Sequence, residues 1–384
     1  MRRPDLSFCK SGESYKEIFG ILQGGIGRQY QLARRSFSPV AVLWSATSQR
    51  AAFVAGKFIG FVKAEAETVD TLRLAGFDPY FVSDEQVAAG ELKAKGVKAL
   101  FLPMTLSIGM GDGQGSLPVW QGLKKYMDNG GVVIKTDEPD RDEFLRPIKA
   151  PAGFEKTVLF SGVKEKLASE LASRGIKPVV VILNKDIKPQ QKFKTYVHEL
   201  KSDKKTAGYL VSFLCMPEDM KQVFGPDGVP YYVSESGVLK AFKVTADCSA
   251  LKYTACYDRQ LGKRIDASSG KAELEVTPCK GNILAFLPYV LKGVTASMKT
   301  ENSLLKVDWS IDRENTDVIF AAHAVRVDVF YAETGKVNAD LSGNYTSDMN
   351  GKGSAVIPLA ITEAGKRWKV VVTDMITGMK GDGK

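Results

Sequence analysis

The sequence is poor in the side chains that most metal and nucleophilic sites require. Its 384 residues include two histidines, His198 and His323, and five cysteines. None of the cysteines has metal-ligand spacing, so we expect no metal site. One disulfide among Cys248, Cys256 and Cys279 is an open alternative. The favoured interpretation is that all three are buried free cysteines that pack as small apolar side chains.

Long apolar runs are also missing. No window approaches 18 consecutive apolar residues, which predicts that no transmembrane helix is present. The first 14 residues carry two arginines without an apolar stretch behind them, so they do not resemble a signal peptide. We expect a cytoplasmic chain, or a secreted or periplasmic one if a signal is missing upstream.

Charge of one sign is not concentrated enough to predict a nucleic-acid partner. The 53 basic and 44 acidic residues leave a net charge of +9, spread along the chain. The densest basic stretch, Lys185 to Lys205, lacks the interleaved aromatic residues that a stacking surface would need. A solvated hairpin is favoured there.

Short apolar runs alternate with helical patterns over the first half of the chain. Between Val97 and Asp140 an apolar run, a glycine-rich loop, an amphipathic stretch and a second apolar run follow one another. This alternation predicts a parallel sheet with helices on both faces and right-handed crossovers. We expect this α/β domain at residues 37–185, after an N-terminal extension or connecting helix at residues 1–36.

The second half of the chain reads as β-structure. Strand patterns separated by turns predict a β-rich domain at residues 186–288. Beyond it, His323, Val325 and Val327 alternate with polar residues, as in a half-buried strand. We expect an immunoglobulin-like β-sandwich at residues 289–384. The predicted fold class is therefore α/β plus all-β.

The glycine run from Gly109 to Gly115 is a candidate phosphate loop, because glycines between a strand and a helix can expose backbone amides. The Rossmann spacing and a Gly-Lys-Ser/Thr sequence are both missing. A flexible surface loop is favoured, its role stays open, and we expect no cofactor.

The turn after the strand at Val132 is a candidate nucleophile elbow of the amidotransferase type. It contains Lys135, Thr136 and Asp137, and no cysteine lies between Cys9 and Cys215. The sequence therefore predicts the scaffold of such a site without its nucleophile.

Polar and aromatic side chains at the ends of the predicted strands are the remaining candidates. The acidic loop 137–143 offers paired carboxylates for glycoside hydrolysis, although a solvated cluster is favoured. The ligand or interface candidates are Trp44, Ser45, Gln49, Arg50, Thr105, Asp137 and Glu138. No catalytic residue is predicted.

Four segments together resemble the trimerisation domain of family 42 glycoside hydrolases, the β-galactosidases. They are PVAVLWS at 39–45, LRLAGFDPYFVSDEQV at 72–87, VKALFLPMTLS at 97–107 and LKKYMDNGGVVI at 123–134. The resemblance implies a flavodoxin-like fold, degenerate from class I glutamine amidotransferases, that mediates trimer contacts near neighbouring active sites. The family's catalytic TIM barrel is absent from this chain, so none of its catalytic residues carries over.

The resemblance implies a non-catalytic C-terminal region of a β-galactosidase-like glycoside hydrolase that serves oligomerisation and supports a carbohydrate-active site. The expected partners are further copies of the chain, a trimer by resemblance, or a catalytic barrel chain, with carbohydrate as a ligand. The alternative is a carbohydrate- or surface-binding multidomain protein. A hydrolase that uses the acidic loop ranks third, and whether this chain alone is an enzyme stays uncertain.

Overall fold

The computed structural model describes residues 22–113, 115–149, 152–159, 164–183, 191–202, 205–217, 220–224, 230–234, 241–278, 281–314, 317–363 and 365–383. The chain divides into two compact units. The α/β unit takes Phe37–Val181 and Phe193–Thr195, and the β-rich unit takes Met1–Ser36, Ile182–Lys192 and Tyr196–Lys384. This division into two units does not test the four domains predicted from the sequence, so their boundaries remain predictions.

A short helical segment and one strand precede the α/β unit: a π-helical turn Leu22–Ile26, α1 (Gly27–Leu32) and β1 (Ala33–Ser36). The elements of the α/β unit are β2 (Val40–Trp44), α2 (Ala46–Val54), α3 (Phe58–Leu74), β3 (Tyr80–Ser83), α4 (Asp84–Ala88), β4 (Ala99–Leu102), β5 (Ser107–Ile108), α5 (Val119–Asp128), β6 (Val132–Lys135), β7 (Arg141–Asp142), a 3-10 turn Phe154–Lys156, β8 (Val158–Leu159) and α6 (Lys164–Ser173).

Five parallel strands form the sheet of the α/β unit, in the order β3-β2-β4-β6-β8. Counted along the chain this order is 2-1-3-4-5, one of the two common doubly wound orders. The chain adds β3 on one side of β2 and the later strands on the other side, so the order of strand addition reverses between β2 and β4. The predicted parallel sheet is therefore confirmed.

Alternate side chains of the strands point to opposite faces of this sheet, and helices cover both faces. Ala41, Leu43, Leu100, Leu102 and Val133 point into one core, together with α4 and α5. Their neighbours Val40, Val42, Ala99, Phe101 and Ile134 point into the other, with α3 and α6. Successive strand side chains face opposite ways, so strands with two covered faces have to be apolar throughout.

Hydrogen bonds from side chains fix the start of two helices. The Ser45 hydroxyl accepts a hydrogen bond from the Ser48 amide and caps α2, so the polar segment 45–49 opens that helix. The following helix, α3, begins at Phe58 without a side-chain cap. Ser83 and Gln86 form a capping box at the start of α4.

The residues of the remaining strands belong to the β-rich unit, except for Val181 and residues 193–195, which belong to the α/β unit. The remaining strands follow in chain order. They are β9 (Val181–Ile182), β10 (Gln191–Ser202), β11 (Lys205–Pro217), β12 (Met220–Phe224), β13 (Pro230–Ser234), β14 (Phe242–Asp247), β15 (Ala255–Asp258), β16 (Lys263–Ile265), β17 (Lys271–Val276), β18 (Gly281–Leu287), β19 (Leu291–Glu301), β20 (Leu304–Arg313), β21 (Ala324–Tyr331), β22 (Val337–Thr346), β23 (Lys352–Pro358), β24 (Trp368–Asp374) and β25 (Lys380–Gly383).

The last seven strands form two antiparallel sheets, β19-β20-β23 and β22-β21-β24-β25. Alternate residues of both sheets share one apolar core, among them Val307 and Trp309 of β20, Val327 of β21 and Val370 of β24. The same core continues into the six-stranded sheet β1-β10-β11-β18-β15-β16. A sandwich-like packing of antiparallel sheets is thus present.

A polar network is sealed inside this apolar core. His323 and Asp374 are both fully buried, and His323 Nδ1 lies 2.7 Å from Asp374 Oδ1. Nε2 of the same ring lies 2.9 Å from the hydroxyl of Tyr289. The second carboxylate oxygen accepts hydrogen bonds from the amide and hydroxyl of Thr377, at 2.9 and 2.6 Å. His323 therefore has a structural role in this core.

Gln29 of α1 is attached to the same place. Its side chain is completely buried. It accepts a hydrogen bond from the Ala324 amide at 2.6 Å and donates one to the Ala322 carbonyl at 3.1 Å. These two bonds flank His323 and fix the N-terminal helix to the β-rich unit.

Two of the three cysteines considered for a disulfide are described. Cys248 and Cys256 are free and buried, and burial raises the pKa of the Cys248 thiol to about 12. Cys279 lies outside the described residues. In the described part of the chain, no helix is both long enough and apolar enough to cross a membrane.

We predict that Asp374→Asn lowers the free energy of unfolding of the β-rich unit by about 2–4 kcal/mol. The amide has one acceptor oxygen, so its NH2 group would face the donors of Thr377 or His323. Urea unfolding followed by circular dichroism measures the change. Asp382→Asn on β25 is the matched control: Asp382 is exposed and 3.6 Å from Lys369, so a change below about 0.5 kcal/mol is expected. Equal losses in both variants would contradict the prediction.

Candidate functional site

The carboxyl edge of the parallel sheet is where doubly wound proteins bind ligands, at the point where the strand order reverses. Here that point lies between the ends of β2 and β4. Trp44 ends β2, and 45% of its side chain is exposed. Thr105, which follows β4, is buried instead. The structure therefore places two of the predicted candidates at the reversal point, one open to solvent and one closed.

A buried hydrogen-bonded cluster joins the ends of β2 and β3. Asp84 Oδ2 accepts hydrogen bonds from the Ser45 hydroxyl at 3.1 Å, and from the amide and hydroxyl of Thr47 at 3.3 and 3.4 Å. Burial raises the pKa of Asp84, and these hydrogen bonds offset part of that rise. The predicted candidate Ser45 is thus committed to capping α2 and to contacting Asp84.

A second cluster joins the ends of β4 and β6. The Met104 amide donates a hydrogen bond to the Thr136 hydroxyl at 2.7 Å, and that hydroxyl donates to Asp137 Oδ2 at 2.7 Å. Met104 has a φ of 42°, a left-handed conformation that costs a non-glycine residue about 1–2 kcal/mol. Neither Thr136 nor Asp137 has a positive φ, so the strained position lies at Met104 and not in the turn predicted as a nucleophile elbow.

The acidic loop is held by internal partners. Glu138 Oε1 lies 2.8 Å from Nζ of Lys135, a lysine that is almost fully buried under the Phe154 ring. Asp142 accepts hydrogen bonds from the Phe144 amide and from the amide and side chain of Arg146. Burial alone would raise the pKa of Asp142, but the hydrogen bonds from Arg146 outweigh it and lower the pKa. These carboxylates hold the loop together.

The first part of the glycine run is packed ahead of α5, whereas Gly113 and Gly115 are exposed and have open space where a Cβ would lie. A Cβ on Gly109 would lie 2.3 Å from the Leu117 carbonyl oxygen, and Gly111 has a φ of 67°. The Gly111 amide donates a hydrogen bond to the Ser116 hydroxyl at 2.8 Å, so it is not available to a phosphate. Gln114, inside the run, is not among the described residues.

The remaining candidates lie on α2. Gln49 is half-buried, and Arg50 is exposed. Across the described residues, no group of three or more histidine, cysteine, aspartate or glutamate side chains lies close enough to hold a metal ion. Asp84, Thr47 and Met104 belong to the site but escaped the sequence prediction. The Ser-x-x-Gln spacing from Ser83 to Gln86, typical of a capping box, is a sequence signal beside Asp84.

Comparison with known proteins gives distant likenesses. A scan against protein-family models and a search of curated proteins both find no match. A Lactobacillus rhamnosus β-glucuronidase structure is 8% identical over 40% of this chain and 19% of its own, with a TM-score of 0.14. A Ruminococcus gnavus β-glucuronidase is 10% identical over 42% of this chain and 20% of its own, with a TM-score of 0.15.

A tetra-tandem repeat from the extending region of a large adhesion protein is 13% identical over 53% of this chain and 47% of its own, with a TM-score of 0.18. This chain spans about a fifth of the length of the two β-glucuronidases. Those proteins are glycoside hydrolases, and the likeness covers the β-rich part of the chain. The resemblance to a family 42 trimerisation domain is not confirmed by these matches.

We predict that Asp84→Asn changes how stability depends on pH. The raised pKa means that the folded chain keeps this proton over a pH range in which the unfolded chain has lost it, so the contribution of Asp84 to stability falls as pH rises through that range. Asparagine does not titrate. The unfolding free energy of the variant, relative to wild type, should therefore rise between about pH 3 and pH 7.

Urea unfolding at a series of pH values checks this. Ser45→Ala is the companion variant, because it removes one of the hydrogen bonds that lower the pKa of Asp84, so the decline with pH should be steeper than in wild type. Parallel pH profiles for wild type and Asp84→Asn would show that Asp84 does not titrate differently in the folded chain.

Proposed function

We propose that this chain is the non-catalytic, assembly-forming region of a β-galactosidase-like glycoside hydrolase. In this proposal the α/β unit is a flavodoxin-like, degenerate amidotransferase-like domain, and the seven-stranded part of the β-rich unit is an immunoglobulin-like sandwich. The strand order 2-1-3-4-5 and the two facing antiparallel sheets support these assignments. The four domains predicted from the sequence, at 1–36, 37–185, 186–288 and 289–384, are kept as part of the proposal.

The observation that carries the assembly role is an exposed apolar surface at the junction of α2 and α3. We call it the α2–α3 patch, and it consists of Phe53, Val54, Phe58, Ile59 and Val62, all exposed. Ile59 is 82% exposed. Contiguous exposed apolar residues of this kind are typical of protein–protein contact sites. A second copy of the chain is the proposed occupant.

The α2–α3 patch lies beside the carboxyl edge of the sheet. A Cβ on Gly60, within the patch segment, would be 3.7 Å from the Met104 methyl carbon. A partner docked on the patch would therefore approach the strained residue after β4. This proximity supports the second half of the proposal, that assembly shapes a carbohydrate site contributed by another chain or domain.

The hydrogen-bonded carboxylates of the acidic loop support the proposal that this chain is not catalytic. Glycoside hydrolysis requires one carboxyl group to act as acid and another to act as nucleophile or base. Asp142 and Glu138 instead hold Arg146 and Lys135. A hydrolase that uses the acidic loop is accordingly the least supported function.

We predict that the wild-type chain is oligomeric, a trimer by the resemblance, and that Ile59→Asp shifts it to monomer. A carboxylate in the first turn of α3 is compatible with the helix, so folding should be unaffected, while a charge at the centre of an apolar contact opposes association. Size-exclusion chromatography with light scattering measures the mass of each species. Ile361→Asp is the matched control, because Ile361 is 96% exposed and lies in the β-rich unit. A wild-type monomer at high concentration would refute the proposal, as would an unchanged mass for Ile59→Asp.

A carbohydrate-binding role is the second candidate, and the exposed indole of Trp44 favours it. Tryptophan faces stack on sugar rings, and Trp44 stands at the reversal point of the sheet. Trp44→Ala should reduce retention on immobilised galactan by about fivefold or more. Phe81→Ala is the control, since Phe81 on the neighbouring strand β3 is 50% exposed. Equal retention of wild type and Trp44→Ala would exclude this role for Trp44.

A further inference from the structure

A cleft opens at the amino edge of the parallel sheet, opposite the edge described above. Its volume is about 610 Å³. It is lined by Lys98 ahead of β4, Tyr126 of α5, Val132 at the start of β6 and Arg174 just after α6. Pockets of about 300–1,000 Å³ hold small organic ligands.

Every charged side chain that lines the cleft is cationic. These are Lys93, Lys98, Lys125 and Arg174. Within the described chain, none of the three lysines has a carboxylate within ion-pair distance. Arg174 is held by Glu170 at 2.6 Å. The cations come from separate elements that fold around one space, so their fields add there.

Glu170 offsets the charge of Arg174, but two other acidic residues near this edge are engaged with lysines that do not line the cleft. Glu91 pairs with Lys95 at 3.3 Å, and Asp128 pairs with Lys124 at 3.2 Å. Carboxylates on the same elements as the cleft lysines are therefore directed elsewhere. The cleft keeps a positive potential.

Tyr126 provides an independent sign of a ligand. This residue is 7% exposed, its hydroxyl oxygen lies against the Val132 amide, and its hydroxyl proton has no acceptor among the described residues. Buried hydroxyls are almost always hydrogen-bonded, because an unpaired one loses its bonds to water without compensation. Burial raises the pKa of Tyr126, so the phenol keeps its proton and remains a donor. The hydroxyl oxygen is closed to solvent in the free chain, so the ring has to shift before an acceptor on a ligand can reach it.

Gly131 holds the ring of Tyr126 in this position. A Cβ on Gly131 would lie 2.3 Å from Cζ of the ring. Only glycine leaves room for the ring to lie over this backbone. The Gly130-Gly131 pair thus does more than end α5: Gly130 takes the positive φ of the helix stop, and Gly131 accommodates the aromatic wall of the cleft.

We infer that this cleft binds a small organic anion, with the charged group at the lysines and an apolar or ring-shaped part against the inner wall. Leu92, Val97 and Ile176 are buried apolar residues of that wall. Lysines bind phosphate groups as point charges, and carboxylates satisfy the same pattern. The ligand class is therefore a phosphorylated or polycarboxylated small molecule, and the site is separate from the α2–α3 patch and from assembly.

Calorimetric titration of the full chain at low ionic strength tests the inference. The probes are glucose 6-phosphate, pyrophosphate and citrate, with glucose as the neutral reference. Glucose 6-phosphate should bind and glucose should not, and comparison of pyrophosphate with citrate separates phosphate from carboxylate ligands. Absence of binding by all three anions overturns the inference.

Lys98→Gln with Lys125→Gln should weaken binding of the best probe by about tenfold or more. Lys124→Gln is the matched control, because Lys124 is the next residue on the same helix and does not line the cleft. It should change affinity less than about twofold. Equal losses in both variants would mean general charge attraction and would overturn the site.

Tyr126→Phe separates a ligand-binding hydroxyl from a structural one. Removal of a donor that is unpaired in the free chain should leave the thermal midpoint unchanged or higher, while affinity for the probe falls by about three- to tenfold. A lower midpoint with unchanged affinity would show that the hydroxyl has a partner inside the protein. That result contradicts the inference.

Discussion

A carboxylate sealed from water has to be hydrogen-bonded inside the protein, and much of the β-rich unit depends on how Asp374 meets this constraint. It binds His323 ahead of β21 and Thr377 beyond β24. His323 in turn contacts Tyr289 ahead of β19, and Gln29 holds the backbone on both sides of the histidine. Segments far apart in the chain are therefore fixed at one point, and none can shift without exposing a buried polar group.

The same constraint explains the carboxyl edge of the α/β unit. Asp84, Lys135 and Asp142 are almost fully buried there. Asp84 has partners just after β2, whereas Lys135 and Asp142 are paired within the loop that follows β6. An edge that doubly wound proteins usually keep open for ligands is cross-linked by its own side chains. Buried atoms without a partner among the described residues occur at both edges, with Glu143 Oε1 at the carboxyl edge and the Tyr126 hydroxyl at the amino edge. The cationic lining is therefore what distinguishes the amino-edge cleft as a place for a ligand.

Features set by neighbouring residues were predictable from the sequence. The β4 strand at Ala99–Leu102 follows from its apolar run, and the capping box at Ser83 follows from a three-residue spacing. The contacts of Ser45 with Asp84 and of His323 with Asp374 join residues 39 and 51 positions apart. Such contacts depend on strand order and register, which local patterns do not contain. The N-terminal attachment through Gln29 was unpredictable for the same reason.

Two glycine positions explain why a sequence motif alone located neither the carboxyl-edge site nor the amino-edge cleft. The run from Gly109 to Gly115 has the composition of a phosphate loop, yet Gly109 is required because the Leu117 carbonyl lies against it. Gly131 has the sequence context of a helix stop, yet it is required because the Tyr126 ring lies over it. In each case the role is set by the atom across from the missing side chain. A cationic cleft with a buried, unpaired hydroxyl is therefore stronger support for a binding site than a glycine pattern, because it specifies what the ligand has to supply.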